Sequence, residues 1–465
     1  MPGLPSVATG SQETLPLDAW QWSAAEASAR MAQGALSSEA YVRACLDRIA
    51  QREGDVRAWA HLDADAAIAQ ARARDREPRR SVLHGIPVGL KDVIRTRDLP
   101  TTFNSPVYEG GLSAAGGNAA SPLAFPPAED AHCVAVLRAL GAVILGKTQT
   151  LEFACGGRFP PTRNPWDQAR TPGGSSSGSG AAVADGMVPL ALGTQTGGST
   201  IRPAAFCGVF GMKPTWGRLP FDGIKSFAAH LDTVGLYGRS VDDLLLLWQA
   251  WGLSEPDEDA RAVGPARALR LGVCRTPYWD QAEPAAQQAF EGALSRLSAA
   301  GVTLVPCELG PEHAAINTWQ DEIMQDGGRS AFRPEMLAAP ALLHEEFQRK
   351  LGNHLGLTPA RLRAALDAVA RCRMDFERAL DGLDGALTLS APGVAPVGLH
   401  TQGLAVFNRL WTALQVPCVS LPVLWSPEGL PLGLQLVGPR YEDGRLLEVA
   451  ARVATLFDPP RHPWN

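Results

Sequence analysis

Residues Thr171–Pro203 read TPGGSSSGSGAAVADGMVPLALGTQTGGSTIRP, and the fold turns on how the block Gly173–Gly180, GGSSSGSG, is understood. Eight residues of only glycine and serine have the composition of a flexible linker. A linker divides domains at a break in composition, and none occurs here. The block runs straight into AAVADGM, a short helix ended by Gly186, and then into VPLALG, an apolar run with the character of a buried strand. A second Gly-Gly-Ser follows at Gly197–Ser199. The block therefore lies inside one folded unit.

Working outward, the same alternation continues on both sides. Upstream, Ala19–Arg52 carries helical periodicity, with Ser37 or Ser38 as a helix cap and Tyr41, Val42, Cys45 and Ile49 as the apolar face. Ala60–Arg76 reads as a further helix, LHGIPVGLKDVI (Leu83–Ile94) as a buried strand entering a turn, Asp130–Leu140 as a helix and GAVILGKT (Gly141–Thr148) as a strand. Downstream, Ser240 starts an amphipathic helix, LRLGVC (Leu269–Cys274) is a strand, Ala285–Ala300 a helix and VTLVPC a strand. Residues 310–382 read as mainly helical, with Thr358-Pro359 opening a helix to about Leu380; GALTLSAP, VPCVSLPV and LPLGLQLVGP return to strand, and EDGRLLEVAARVATLF closes as a helix. Continuous apolar strands alternating with helices predict an α/β fold with strands covered on both faces. A single large domain over 16–465 is expected, preceded by a disordered N-terminus over 1–15.

Composition narrows the class. Hydrophobic content of 45% and charged content of 19% are those of a globular protein. Net charge of −6, with no basic stripe, argues against nucleic acid as a partner. No apolar run reaches the roughly 18 residues of a membrane span, and the start lacks the layout of a signal peptide. The eight cysteines are dispersed without a C-x-x-C pair, as buried thiols of a reducing compartment are, which gives the cytoplasm as the expected location. None of the nine histidines falls at metal-ligand spacing from another ligand, so no metal is expected.

The glycine-serine blocks admit several chemistries. A phosphate loop requires a lysine after its last glycine, and neither block has one. A nucleophile elbow at Gly174–Gly178, centred on Ser176, requires an apolar strand immediately upstream, where RNPWDQARTP stands instead. A serine hydrolase without histidine remains. A serine hydroxyl needs a base to take its proton, and a lysine desolvated toward neutrality can serve. Lys91, at the end of the apolar GIPVGL run, is placed for partial burial, although a lysine at a strand end is by itself commonplace.

Taken together, GIPVGLKDVI, PGGSSSGSGAAVADGMVPLALGTQTGGSTIRPAAFCGVFGMKP, HLDTVG (His230–Gly235) and FNRLWTALQVPCVSLPV…LPLGLQLVGP strongly resemble the amidase signature family over nearly the whole chain, least so over roughly 255–385. The resemblance implies a large mixed β-sheet sandwiched between helices and no cofactor. It also implies a Ser–cisSer–Lys triad. Ser199 is then the nucleophile, Ser175 the bridging serine on an unusual cis peptide bond, and Lys91 the base. Thr196, Gly197, Gly198 and Ser199 would offer backbone N–H groups to an oxyanion, and Ser176 and Ser177 would satisfy backbone groups or cap the next helix.

One departure stands out. Many members read D-T-G-G-S-[IV]-R, but here Gln195 replaces the aspartate and Arg202 follows Ser199 by three. This variant is similar to malonamidase-type members, in which the corresponding arginine pairs with a substrate carboxylate. Gln195 and Arg202 are thus candidate substrate-binding residues, with a structural ion-pair role for Arg202 as the alternative. The expected function is hydrolysis of a carboxylic amide through an acyl-Ser199 intermediate. The expected partners are a small-molecule amide, in some cases carrying a carboxylate, and a second copy of the chain as a homodimer, with no nucleic acid and no membrane. The alternatives are the A subunit of a tRNA-dependent glutamine amidotransferase and an idle binding protein on the same scaffold. Acyl and amine specificity is expected from 310–382 and the loop Tyr108–Pro127.

Overall fold

Eleven strands of the computed structural model join in one mixed sheet, among the residues the structure describes: 18–108, 129–253, 267–459 and 461–464. The expected disordered N-terminus and nearly all of the loop Tyr108–Pro127 lie outside them. The strands are β1 (Trp59–Leu62), β2 (Pro87–Lys91), β3 (Val143–Thr148), β4 (Leu190–Gln195), β5 (Phe210–Lys213), β6 (Thr233–Gly238), β7 (Arg270–Val273), β8 (Thr303–Pro306), β9 (Ala386–Leu389), β10 (Cys418–Trp425) and β11 (Pro431–Val437). Their order is β1-β3-β2-β4-β6-β5-β10-β11-β9-β7-β8. β3, β2 and β4 run parallel to one another, as do β9, β7 and β8, while the strands between are antiparallel. Helices flank this sheet, so the α/β architecture follows the alternation in the sequence. The central strands β2 to β6 and β11 are buried at every position, which is why they read as apolar runs without period-two alternation.

The first helices begin where their caps stand. Ser37 accepts from the Ala40 amide and opens Ser38–Val56, burying Tyr41, Val42, Cys45 and Ile49. Ser240 caps Val241–Ala250 and Thr358 caps Pro359–Ala379. The expected helix Ala60–Arg76 is shorter: Asp63 caps Ala64–Arg76, and Trp59–Leu62 pairs antiparallel with β3 instead. Partner strands outweigh helix propensity there, since His61 and Leu62 pair with Lys147 and Gly146 of β3. Two central strands, β5 and β6, come from FGMK and from the end of HLDTVG. At four and six residues, with glycines at Gly211, Gly235 and Gly238, they carry too little pattern to read from sequence.

The glycine-serine block lies in the core. Ser175, Ser176, Ser177 and Ser179 are all buried. The helix Ser177–Ala184 packs on β2, β3, β4 and β6 and against the helix Ile201–Cys207. Gly178 explains the small residues: a Cβ there would overlap the Ala58 carbonyl oxygen and the Gln149 amide. The Gly178 amide itself donates to the Gln149 carbonyl at 2.9 Å. Between 310 and 382 the chain forms the helices Ile316–Ala331, Arg333–Ala338, Glu345–Leu351 and Pro359–Ala379. Among the described residues, no helix is long and apolar enough to cross a membrane.

Candidate active site

β2 and β4 are parallel neighbours, with Leu90 opposite Leu192, so Lys91 and Thr194 come out at the same end of the sheet. Ligands of α/β sheets gather beyond the carboxyl ends of parallel strands. Lys91 is fully buried, and its Nζ lies 2.7 Å from Ser175 Oγ and 2.7 Å from Thr194 Oγ1. Burial pushes the Lys91 ammonium well below the ordinary lysine value; the Asp232 carboxylate opposes this and Arg202 adds to it. The peptide bond Gly174–Ser175 is cis.

The second block closes on the first. The Ser176 amide donates to the Ser199 carbonyl at 3.3 Å, and the Tyr237 hydroxyl donates to the carbonyls of Ser199 and Thr200 at 3.2 and 3.1 Å. Ser199 keeps 7% of its surface exposed, and among the described residues its hydroxyl has no hydrogen-bond partner. Lys91 and Ser175 are therefore in direct contact, whereas Ser199 is adjacent through backbone with its Oγ left free. The Ser176 hydroxyl donates to the Thr194 carbonyl and the Ser177 hydroxyl to the Gly173 carbonyl, so both satisfy backbone.

Thr196, Gly197, Gly198 and Ser199 present amide N–H groups with no protein acceptor among the described residues. Thr196 is fixed through its hydroxyl, which donates to Asp232 at 2.6 Å. Asp232 also accepts from Ser226 Oγ and from the amides of Phe227 and Ala228. Gly198 must be glycine, because a Cβ there would sit 2.6 Å from Asn408 Oδ1 and 2.9 Å from Ala405 Cβ.

The two candidate substrate-binding residues face the protein. Gln195 Oε1 accepts from the amides of Thr200 and Ile201 at 2.8 and 3.0 Å, at the start of the helix Ile201–Cys207. Arg202 is buried, and each of its guanidinium nitrogens donates to a protein oxygen. Nε and Nη2 reach the Gly174 carbonyl at 3.1 and 2.5 Å, Nη2 reaches Gln402 Oε1 at 2.6 Å, and Nη1 reaches the Gly403 carbonyl at 2.6 Å. Burial lowers its guanidinium well below the ordinary arginine value, with Arg409 adding to the effect. Thr194 and Asp232 were missed by sequence reasoning. Their only signal was their place inside LGTQTGGS and HLDTVG.

The protein family described as Amidase matches residues 40–447. The chain belongs to the amidase family. Solved amidases share its architecture: one described as the crystal structure of amidase superposes with a TM-score of 0.81 at 26% identity, covering 94% of this chain and 100% of that one. The peptide amidase of Stenotrophomonas maltophilia gives a TM-score of 0.77 at 28% identity, covering 96% and 100%. As an amidase-family enzyme, the chain acts on amide C–N bonds. Among curated relatives, the A subunit of the glutamyl-tRNA(Gln) amidotransferase of Chloroflexus aggregans (strain MD-66 / DSM 9485) is 34% identical over 90% of this chain and 93% of that protein. Its namesake from Roseiflexus castenholzii (strain DSM 13941 / HLO8) is 35% identical over 92% and 94%.

These relatives overturn the expected partners. The sequence predicts action on a small amide without nucleic acid, at most as a homodimer, yet the curated relatives are each one subunit of an enzyme named for a charged tRNA. Net charge is a poor guide to partners because it describes the surface of one chain and not that of an assembly.

Proposed function

We propose that this amidase is the amide-splitting subunit of an amidotransferase of the glutamyl-tRNA(Gln) kind, releasing ammonia from the carboxamide of glutamine for use by its partners. What carries this reading is the extent of the likeness: two relatives of that name align with at least 90% of this chain and at least 93% of their own.

The chemistry rests on Lys91. As a neutral amine it draws a proton from Ser175, which draws one from Ser199, and Ser199 Oγ attacks the amide carbonyl. The developing oxyanion is held by amide N–H groups of Thr196, Gly197, Gly198 and Ser199, preorganised donors that need no reorientation as charge develops. The relay then runs in reverse to protonate the departing ammonia, and water releases the acyl group by the same path. Thr194 holds the Lys91 amine on its far side. Arg202 and Gln195 act as supports: Arg202 anchors the carbonyl preceding Ser175, and Gln195 caps the helix that follows Ser199. That assignment removes the basis for a malonamidase-type arginine–carboxylate contact.

The test combines the purified chain with the remaining subunits of the Chloroflexus aggregans enzyme, glutamyl-tRNA(Gln), ATP and L-glutamine. Glutaminyl-tRNA should form, and should be lost with Ser199→Ala. Failure to form it, together with no ammonia release from glutamine, would overturn the amidotransferase reading.

A further inference from the structure

Three consecutive carbonyls of the nucleophile loop are each held by a hydrogen bond, two of them from distant helices. Gln320 Nε2, on the helix Ile316–Ala331, donates to the Thr196 carbonyl at 2.9 Å. Thr412 Oγ1, on the helix Val406–Ala413, donates to the Gly197 carbonyl at 2.7 Å. The Arg202 amide donates to the Gly198 carbonyl at 3.0 Å. In a planar trans peptide the C=O and the following N–H point in opposite directions. Holding these carbonyls therefore aims the N–H groups of Gly197, Gly198 and Ser199, which have no protein acceptor among the described residues.

The middle clamp depends on Gln195. The Thr412 hydroxyl has one proton and two acceptors in reach, the Gly197 carbonyl at 2.7 Å and the Asn408 carbonyl at 3.1 Å. Gln195 Nε2 donates to the same hydroxyl oxygen at 3.0 Å, while Gln195 Oε1 does the helix capping. A carboxylate at 195 could cap the helix equally well but could not donate. It would instead take the Thr412 proton for itself and release the Gly197 carbonyl. Gln195, Thr412 and Gln320 are all buried, so water does not substitute for them.

We propose that Gln195, Thr412 and Gln320 are positioning residues that orient the oxyanion-binding amides. In this chain the glutamine at 195 sets the direction of the Thr412 hydroxyl. The inference rests on Ser199 as nucleophile and on the oxyanion role of its loop.

The experiment measures inactivation by a fluorophosphonate, which requires no knowledge of the natural substrate, as kinact and KI separately. Removal of a whole oxyanion donor costs about 10²–10³ in rate, so loss of orientation at one donor should lower kinact about tenfold. Thr412→Val should show this fall with KI within about twofold, and Thr412→Ser should restore the rate. Gln195→Glu should match Thr412→Val, and the double variant should fall no further, as expected for residues acting as one unit. Gln320→Met provides an independent arm with the same signature should either variant at 195 or 412 fail to fold. Ser199→Ala in the same assay separates the two levels. Continued labelling of that variant would overturn the reading of the site itself. No labelling of Ser199→Ala, together with wild-type kinact in Thr412→Val, Gln195→Glu and Gln320→Met, would overturn the positioning inference alone.

Discussion

At the residue scale, the buried lysine makes the sharpest statement. In its proposed role as base Lys91 works only when neutral, and burial lowers its proton affinity well below the ordinary lysine value. Activity should thus be low where Lys91 is protonated, rise with pH through its lowered pKa, and level off well short of the ordinary 10.5. A pH profile of kcat/KM for amide hydrolysis checks this, and a rise that continues to about pH 10 would contradict it. Lys91→Met should reduce turnover about 10²–10⁴-fold, the usual contribution of a positioned general base. Arg202 gives a second prediction. With its guanidinium on the Gly174 carbonyl, Arg202→Ala leaves that buried acceptor unpaired, at about 1–3 kcal/mol. Denaturant unfolding should show that loss, and activity on neutral and on carboxylate-bearing amides should fall by the same factor. A selective loss on acidic amides would restore the substrate-binding role.

At the scale of elements, the helix Ser177–Ala184 converts composition into position. Its glycines and serines let it approach the chain at Ala58 and Gln149, which brings Ser175 to the end of β2. Gly178→Val should force that helix outward, destabilising the protein by about 1–3 kcal/mol or more, as overpacking does, and lowering activity in step. Thermal unfolding and turnover, measured on the same preparation, test this. The helix was legible because a helical run, a stop at Gly186 and an apolar strand follow one another in the chain. β1, β5 and β6 were not legible: β1 runs directly into the helix that Asp63 caps, and Gly211, Gly235 and Gly238 thin the apolar pattern of β5 and β6, so their pairing depends on the strands beside them.

At the scale of the whole molecule, the two ends of the described chain meet far from Lys91, Ser175 and Ser199 in sequence. Trp20 and Trp464 make an edge-to-face pair with centroids 5.1 Å apart, and the Arg48 guanidinium lies 4.2 Å over the Trp20 ring. Arg48 and Arg52 both reach Asp185, which directly follows the helix Ser177–Ala184. Closing the ends on this cluster ties the N-terminal helices to the core. Trp464→Ala should cost about 1 kcal/mol from the lost aromatic pair while leaving kcat for amide hydrolysis unchanged. A changed kcat with unchanged unfolding would refute that account.

The sequence by itself determined the α/β class, most of the strands and helices, the family, and the candidates Lys91, Ser175 and Ser199, because each was written in a contiguous stretch with its own local pattern. It did not determine what Gln195 and Arg202 do, since both are polar residues beside a nucleophile and their types fit a substrate or a scaffold equally well. Tertiary structure decided which protein atoms they reach. Folding brings the Gly174 carbonyl, Gln402 and Gly403 around Arg202, and Thr412 against Gln195. Buried donors and acceptors must find partners inside the protein. These partners lie between 28 and 217 residues away along the chain, where no local pattern of sequence can reach.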